Sequence, residues 1–458
     1  MFPAIPAAAE PLVDSIRGVF TCPTLRRFLL LMCGLIVTMG RRTVSHVLVL
    51  IDPLSDGHWS DYHRIYSKAR FSMWQLAAAL TRQVIALLPE GVIIELVADD
   101  TVDGKDGDRV WAKGTHRDSA RSSRKVDQNK FGHKWLVLCV LVRLPGIDRP
   151  WALPVVCGMC ISHKVAKQIG KRQKTASDLA RQLLIVLMRW LPDRKFILMG
   201  DYQVITHKTA CFAAQHADRV TVIGRLRSDA NFYHEPTAKQ RRRRVRGGGY
   251  CTKGAKAPSP AERVAKLVAI EQQVNWYGGG KHKVRQVNET VLWFSKQNCQ
   301  VVPIRWVCVL GEQTDAAKAN DYFYSSDATM TPQRIIELYV LRWNIEVTFE
   351  ETRQLLGLES TRHWCRQSVL RVAPLILGLF TAVTLIWNQL PARRRSACGD
   401  SQTPCYHKQA ATFADALFAV RHELWEHTLL RHRRQNECLN RLPRRLRQTI
   451  LHHLAAAA

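Results

Sequence analysis

Apolar residues recur at helical spacing from Leu25 to Leu50 and again from Phe71 to Leu88, which predicts a helical region over residues 1–88. From Gly91 the period changes. Val92 to Ala98 is a short apolar run whose single polar member is Glu95, and it stops at Asp99-Asp100-Thr101, as a buried strand does. A polar, basic loop is expected from Asp103 to Lys130. Two further strands follow, Lys134 to Arg143 and Trp151 to Ile161, split by a Pro145-Gly146 turn. Thr175 to Leu191 has helical spacing, Phe196 to Met199 reads as a strand ending at Gly200-Asp201, Thr206 to Ala217 as a helix and Val220 to Leu226 as a strand. This β-β-β-α-β-α-β order predicts an α/β fold, a mixed sheet with helices packed on it, over residues 89–228.

Residues 229–330 break the pattern. They carry a basic tract with Arg241, Arg242, Arg243 and Arg244, then Gly247-Gly248-Gly249, then strand-like sequence from Asn288 to Leu310. That reads as a β-rich insertion with a mobile basic loop. Helical pattern resumes at 331–356, opened by Thr331-Pro332 as cap and first turn and closed by Gly357. An apolar helix over 369–387 completes a second part of the core, 331–390. The remainder, 391–458, reads as helical and basic, with arginines at 431, 433, 434, 444, 445 and 447.

Charge changes this picture most. The 458 residues hold 67 Lys and Arg against 38 Asp and Glu, a net +29, which calls for a polyanionic partner. Two apolar stretches compete for a membrane reading. Phe28 to Gly40 is shorter than the ~20 residues a spanning helix needs, and Val372 to Trp387 is also short and holds Pro374. Both are expected to be core helices, which leaves nucleic acid, not a membrane, as the partner. Thirteen scattered cysteines fit reduced thiols and a cytoplasmic setting. Cys157, Cys160 and His163 have metal-ligand spacing but no fourth ligand nearby, so structural cysteines in a strand are expected. The segment Trp59 to Arg70 mixes basic and aromatic residues, as a DNA-facing helix or a solvated one would.

The candidate chemistry lies in carboxylates at strand ends, which are costly to bury unless used. Asp99-Asp100 closes the first strand and Asp201 the fourth. Carboxylates held at a sheet edge can share two Mg²⁺ ions, with Mn²⁺ as a substitute, roughly 4 Å apart and suited to phosphodiester chemistry. On a continuous helix over 331–356, at ~100° per residue, Tyr339, Arg342, Glu346, Glu350 and Arg353 fall on one face. Such a face presents either a third metal ligand between phosphate-binding arginines or a solvated stripe of ion pairs.

The stretch Tyr339-Val-Leu-Arg342-Trp-Asn-Ile-Glu346, followed by Arg353, resembles the Tyr-x2-Arg-x3-Glu-x6-Lys signature of DDE transposases from bacterial insertion sequences, with Arg353 in place of the Lys. Asp99-Asp100-Thr101 resembles the family's first catalytic Asp, with Asp100 as the alternative to Asp99, and Asp201 its second. Lys130 to Trp135 and Arg225 to Asp229 are similar to its second strand and the opening of its insertion. The resemblance implies a ribonuclease-H-like fold and a transposase that cleaves double-stranded DNA at element ends and transfers the 3′-hydroxyl to target DNA. It implies Asp99, Asp201 and Glu346 as catalytic metal ligands, phosphate contacts from Tyr339, Arg342 and Arg353, end recognition by the N-terminal helical region, and a homodimer on paired ends. The basic tract would add nonspecific DNA contact. Two alternatives share these residues: a nuclease that cuts without joining, and an inactive copy that only binds DNA.

Overall fold

The computed structural model describes residues 5–51, 55, 57–117, 126, 128–242, 252–298, 300–311, 320–395, 410–431 and 442–456. Five helices come first: α1 (Glu10–Ile16), α2 (Cys22–Val37), α3 (Val44–Ile51), α4 (Trp59–Ser67) and α5 (Met73–Ile85). The core then runs β1 (Ile94–Gly104), β2 (Gly114–Arg117), β3 (Asn129–Val142), β4 (Trp151–Cys160), α6 (His163–Gln168), α7 (Ala176–Trp190), β5 (Phe196–Gly200), α8 (His207–Gln215) and β6 (Val220–Arg225). The intervening segment holds β7 (Phe232–Tyr233), α9 (Ala238–Arg241), α10 (Pro260–Val264), β8 (Ile270–Asn275), β9 (Lys281–Ser295), β10 (Gln300–Val309) and β11 (Asp321–Ser325). The chain ends with α11 (Pro332–Leu341), α12 (Asn344–Leu356), α13 (Arg366–Gln389), α14 (Ala392–Arg395), α15 (Phe413–Arg431) and α16 (Arg444–Ala456).

Three antiparallel neighbours, β4, β3 and β1, continue into β5 and β6, which run parallel to β1. Three antiparallel strands followed by two parallel strands with helical crossovers is the mixed sheet that the order of elements predicted, arranged as in the ribonuclease-H-like fold that the resemblance implied. The short β2 shares an edge of β3 with β4, and β11 pairs with β6, so β7 to β11 extend the same sheet. The Arg243 and Arg244 positions of the basic tract lie outside the described residues.

Helix α13 carries the largest correction among the apolar stretches. It is 24 residues long and continues through Pro374, so it is long and apolar enough to cross a membrane by length and composition. Proline removes one i→i−4 hydrogen bond and does not by itself end a helix whose flanks are packed. Val372, Ile376, Phe380 and Val383 are buried, and the helix packs against β4, α4, α5 and α15. Helix α2 is likewise buried along its length.

Two ends of elements differ from the sequence reading where it matters for the site. Strand β1 does not stop at Asp99. Its parallel pairing with β5 ends at Ala98↔Gly200, but its antiparallel pairing with β3 continues to Gly104↔Gly132. Polar residues persist in the strand because β3 satisfies their backbone. The expected single helix over 331–356 is two helices broken at Arg342-Trp343. Its caps are as expected: the Thr331 hydroxyl accepts from the Arg334 N–H, and Gly357 ends α12 in the left-handed conformation.

Candidate active site

The sheet register builds the site. Beyond Ala98↔Gly200, the next residues of the parallel pair β1 and β5 are Asp99 and Asp201, side by side where the two strands part. The loop after β5 holds Asp201 in place, since its Oδ1 accepts from the N–H of Gln203 (2.9 Å) and of Val204 (3.0 Å). Tyr202, next to it, projects into solvent.

The third carboxylate arrives through the helix break. Around Arg342 the backbone hydrogen bonds tighten to i→i−3, from Arg342 N–H to Tyr339 O (3.1 Å) through Glu346 N–H to Trp343 O (3.1 Å). Arg342 Nη1 lies 2.7 Å from Asp99 Oδ2 and 2.8 Å from Glu346 Oε1, so one guanidinium joins the two carboxylates. No Gly or Pro marks the break in the sequence. It occurs where Arg342, 12% exposed, turns onto Asp99. Asp100 alternates to a different partner, with Oδ2 2.7 Å from Lys134 Nζ.

Burial pushes the Asp99 carboxyl up to about 7, against the pull of Arg342 and with the help of the Asp201 charge. Burial also raises Asp201, against the two backbone N–H donors, and Asp100 adds to the rise. Burial alone would lower Arg342, but Asp99, Tyr339 and Glu346 hold its guanidinium above the ordinary range. Crowded carboxylates that resist ionisation are a site short of positive charge. The donors are all oxygen, the set hard divalent cations take.

The other members of the expected helical face separate. Tyr339 is buried against Phe323, with ring centroids 4.4 Å apart, and Arg342 lies over its ring. Arg353 donates to the Thr101 hydroxyl, and its Nε lies 3.3 Å from Glu359 Oε1. Glu350 is exposed and accepts from Gln354. The β8–β9 hairpin brings Tyr277 to 6.2 Å from Trp343, beside Arg342. Glu95, the one polar residue of the first strand run, pairs with Arg143 of the β3–β4 connection and Arg334 of α11, pinning that helix to β1. Cys157 and Cys160 are free thiols of β4, both pushed up to about 12 by burial.

Four residues past Asp99, a second cluster was not anticipated. Asp103, placed in a loop by the sequence reading, is fully buried in β1. One ligand atom from each of Asp103, His133 and His363 falls within 4.8 Å of the others, a group that could hold a metal ion. Lys105 Nζ lies 2.8 Å from Asp103 Oδ1 and donates to the carbonyls of Glu359 and Thr361. Burial pushes His363 down to about 3 and lowers His133, with Lys105 adding to both, while burial raises Asp103 to about 6 against Lys105. The alternation Asp99, Thr101, Asp103 is the period-two signal of one strand face that could have shown the strand continuing.

At the N-terminal region, α4 splits its aromatics. Tyr62 and Tyr66 are buried, whereas Trp59 is exposed with the His58 and His63 rings 5.2 and 5.3 Å away. In the insertion, Arg241 pairs with Glu235, and Arg242 is exposed.

Residues 17–283 match the family described as DDE superfamily endonuclease, more than half of the chain. Among solved structures, the chain is similar to the piggyBac transposase in its synaptic complex with hairpin DNA, at 11% identity and a TM-score of 0.43, over 97% of this chain and 82% of that one. No curated protein matches the chain.

Proposed function

The chain belongs to the DDE superfamily of endonucleases, and on that premise we propose that it is a DNA transposase whose catalytic carboxylates are Asp99, Asp201 and Glu346. The observation that carries this reading is the convergence of three elements. The β1–β5 register sets Asp99 beside Asp201, and Arg342 ties Asp99 to Glu346 at 2.7 and 2.8 Å. Asp99 is preferred over Asp100 because Asp99 shares the Arg342 guanidinium with Glu346, whereas Asp100 pairs with Lys134 instead.

The three carboxylates fit a pair of Mg²⁺ ions. Bound there, the ions would supply the Lewis acidity that activates an attacking oxygen and stabilises the leaving one. The chain's own groups do the rest. Asp201 is held rigid by two backbone N–H donors, so its free oxygen keeps one direction. Arg342 neutralises Asp99 and Glu346 and is placed to bind a phosphate when a cation takes its carboxylates. Arg353, in the position of the signature Lys, offers its charge from the Thr101 side. Trp343 and Tyr277 add aromatic surface beside Arg342, suited to stacking on an unpaired base. The +29 net charge supplies the sequence-independent, salt-sensitive part of DNA binding. On this reading the enzyme works as a homodimer on paired ends.

The test is cleavage of a duplex carrying the element end that flanks the gene, in Mg²⁺, with wild type beside Asp201→Ala and Glu346→Gln. Cutting by wild type that both variants lose supports the site. A labelled 3′ end then separates strand transfer from hydrolysis alone. Binding without cutting, in Mg²⁺ or Mn²⁺, would sink the enzymatic reading.

A further inference from the structure

We propose that Asp103, His133 and His363 bind one transition-metal ion of the Zn²⁺ class, at a site separate from the catalytic carboxylates. The three residues come from β1, β3 and the connection between α12 and α13, and all are buried. Each group carries polar atoms that the protein leaves without a hydrogen-bond partner among the described residues. His133 Nδ1, both ring nitrogens of His363 and Asp103 Oδ2 have none. Burying a single unsatisfied polar group is costly, and four in one place call for a shared partner.

The surroundings orient these groups as second partners orient metal ligands. His133 Nε2 lies 2.8 Å from the Trp111 carbonyl, which can only accept, so Nε2 carries the proton and Nδ1 presents its lone pair to the cluster. Lys105 Nζ takes Asp103 Oδ1, and Oδ2 is left for the cluster. Gly132 permits the approach of the strands here, because a Cβ at that position would lie 2.1 Å from the Asp103 carbonyl oxygen. The rings of His133 and His363 are nearly parallel, with centroids 6.2 Å apart.

Donor chemistry selects the ion. Two imidazoles and one carboxylate suit Zn²⁺ and its neighbours, whereas Mg²⁺ prefers an all-oxygen set. Ligand atoms up to 4.8 Å apart must close to roughly 3.3 Å around a tetrahedral ion with bonds of about 2.0 Å, a movement within reach of side-chain rotation. Three protein donors leave a fourth position for water. The ion would fasten the end of β1 to the segment that bears Glu359, the partner of Arg353 and of Lys130. It would thus position Arg353 without touching substrate.

The full-length protein would be stripped with chelator, dialysed against Zn²⁺ in millimolar Mg²⁺, and assayed for metal content and for X-ray absorption at the zinc edge. The proposal expects about one Zn²⁺ per chain with a nitrogen and oxygen shell. It expects His363→Gln and Asp103→Asn to weaken Zn²⁺ binding by about tenfold or more. Asp201→Ala should bind Zn²⁺ like wild type, which separates this site from the catalytic one. Substoichiometric zinc in wild type overturns the proposal, and so does a sulfur shell at about 2.3 Å, which would place the ion on cysteines. Undiminished binding in folded His363→Gln, or loss of binding in Asp201→Ala, overturns it as well. The wild-type spectrum decides the matter even where a variant fails to fold.

Discussion

Two clusters share one face of β1, four residues apart, and they differ in almost every physical respect. Asp99 sits where β5 has just ended, so its side chain looks out of the sheet towards Asp201, Arg342 and Glu346. Asp103 sits where β3 still pairs with β1 and the 357–365 connection covers it, and it has no exposed surface. The first cluster is all oxygen, partly open and bridged by an arginine whose fork reaches two carboxylates at once. The second is two imidazoles and a carboxylate, closed, with a lysine anchored to two carbonyls. What separates them is where the neighbouring strand stops. The carboxylate past the strand end keeps some exposed surface, whereas the one under continued pairing keeps none. The residue types alone do not make that distinction.

The sharpest way to break the comparison is to remove one member of the open cluster. Glu346→Gln should lower Mg²⁺-dependent cleavage by about a thousandfold or more, the size of several kcal/mol of transition-state charge stabilisation, with DNA binding retained. Steady-state cleavage rates beside a filter-binding titration check this, and near-wild-type cleavage would remove Glu346 from the site. The closed cluster should respond in stability. Gly132→Ala forces a Cβ to within 2.1 Å of the Asp103 carbonyl oxygen and should cost about 3 kcal/mol or more, read from urea unfolding. A neutral outcome would mean that the strands have slack there and that the cluster is less rigid than its burial implies.

Proton linkage sharpens the contrast, because Asp99 and His363 work in opposite directions, while Asp103 of the closed cluster is raised as Asp99 is. Asp99 has a folded pKa raised from 3.8 to about 7, so the folded state holds its proton longer. Its stabilising contribution is present below about pH 4 and is lost as pH rises towards and through 7. Mg²⁺ should offset that loss, and melting temperatures from pH 5 to 8 with and without Mg²⁺ should diverge upward in pH. Parallel curves would argue against a divalent cation at Asp99. His363 has a folded pKa lowered from 6.5 to about 3, so its contribution is present above 6.5 and is lost as pH falls from there towards 3. His363→Gln should flatten that acid limb, and an unchanged limb would assign the acid sensitivity elsewhere.

The smallest effect is expected at Arg353, which touches both regions through Thr101 and Glu359. Arg353→Lys keeps the charge and restores the signature residue, and should change cleavage by less than about tenfold while leaving zinc content unaltered. A larger fall would show that the fork of the guanidinium, and not its charge, serves the site.

Much of the architecture was legible in the chain because it rests on local patterning. Alternation and apolar runs marked β1, β3, β4, β5 and β6 in an order compatible with few sheets, and Thr331, Pro332 and Gly357 carry their helix-end chemistry in their own side chains and backbone. Asp99, Asp201 and Glu346 stood out as carboxylates at the ends of apolar segments or in a recognisable spacing. The helix break at Arg342 did not, since nothing in 340–346 disfavours a continuous helix and the turn follows from a contact 243 residues away. The same holds for Glu95, a misfit in its strand until Arg143 and Arg334 meet it. It holds for several arginines that the net charge alone would assign to DNA: Arg42, Arg371 and Arg421 are buried and donate to backbone carbonyls at helix ends.

By itself the sequence determined the type and order of the elements, since hydrophobic period and capping act over a few residues. It determined the excess of positive charge as well, and that charge persists however the chain folds. Only the tertiary structure decided where β5 ends relative to β1, and therefore that Asp99 opens onto Asp201 while Asp103 is sealed with His133 and His363. Strand register and the packing of 357–365 over β1 join residues hundreds of positions apart, and no local preference encodes such distances.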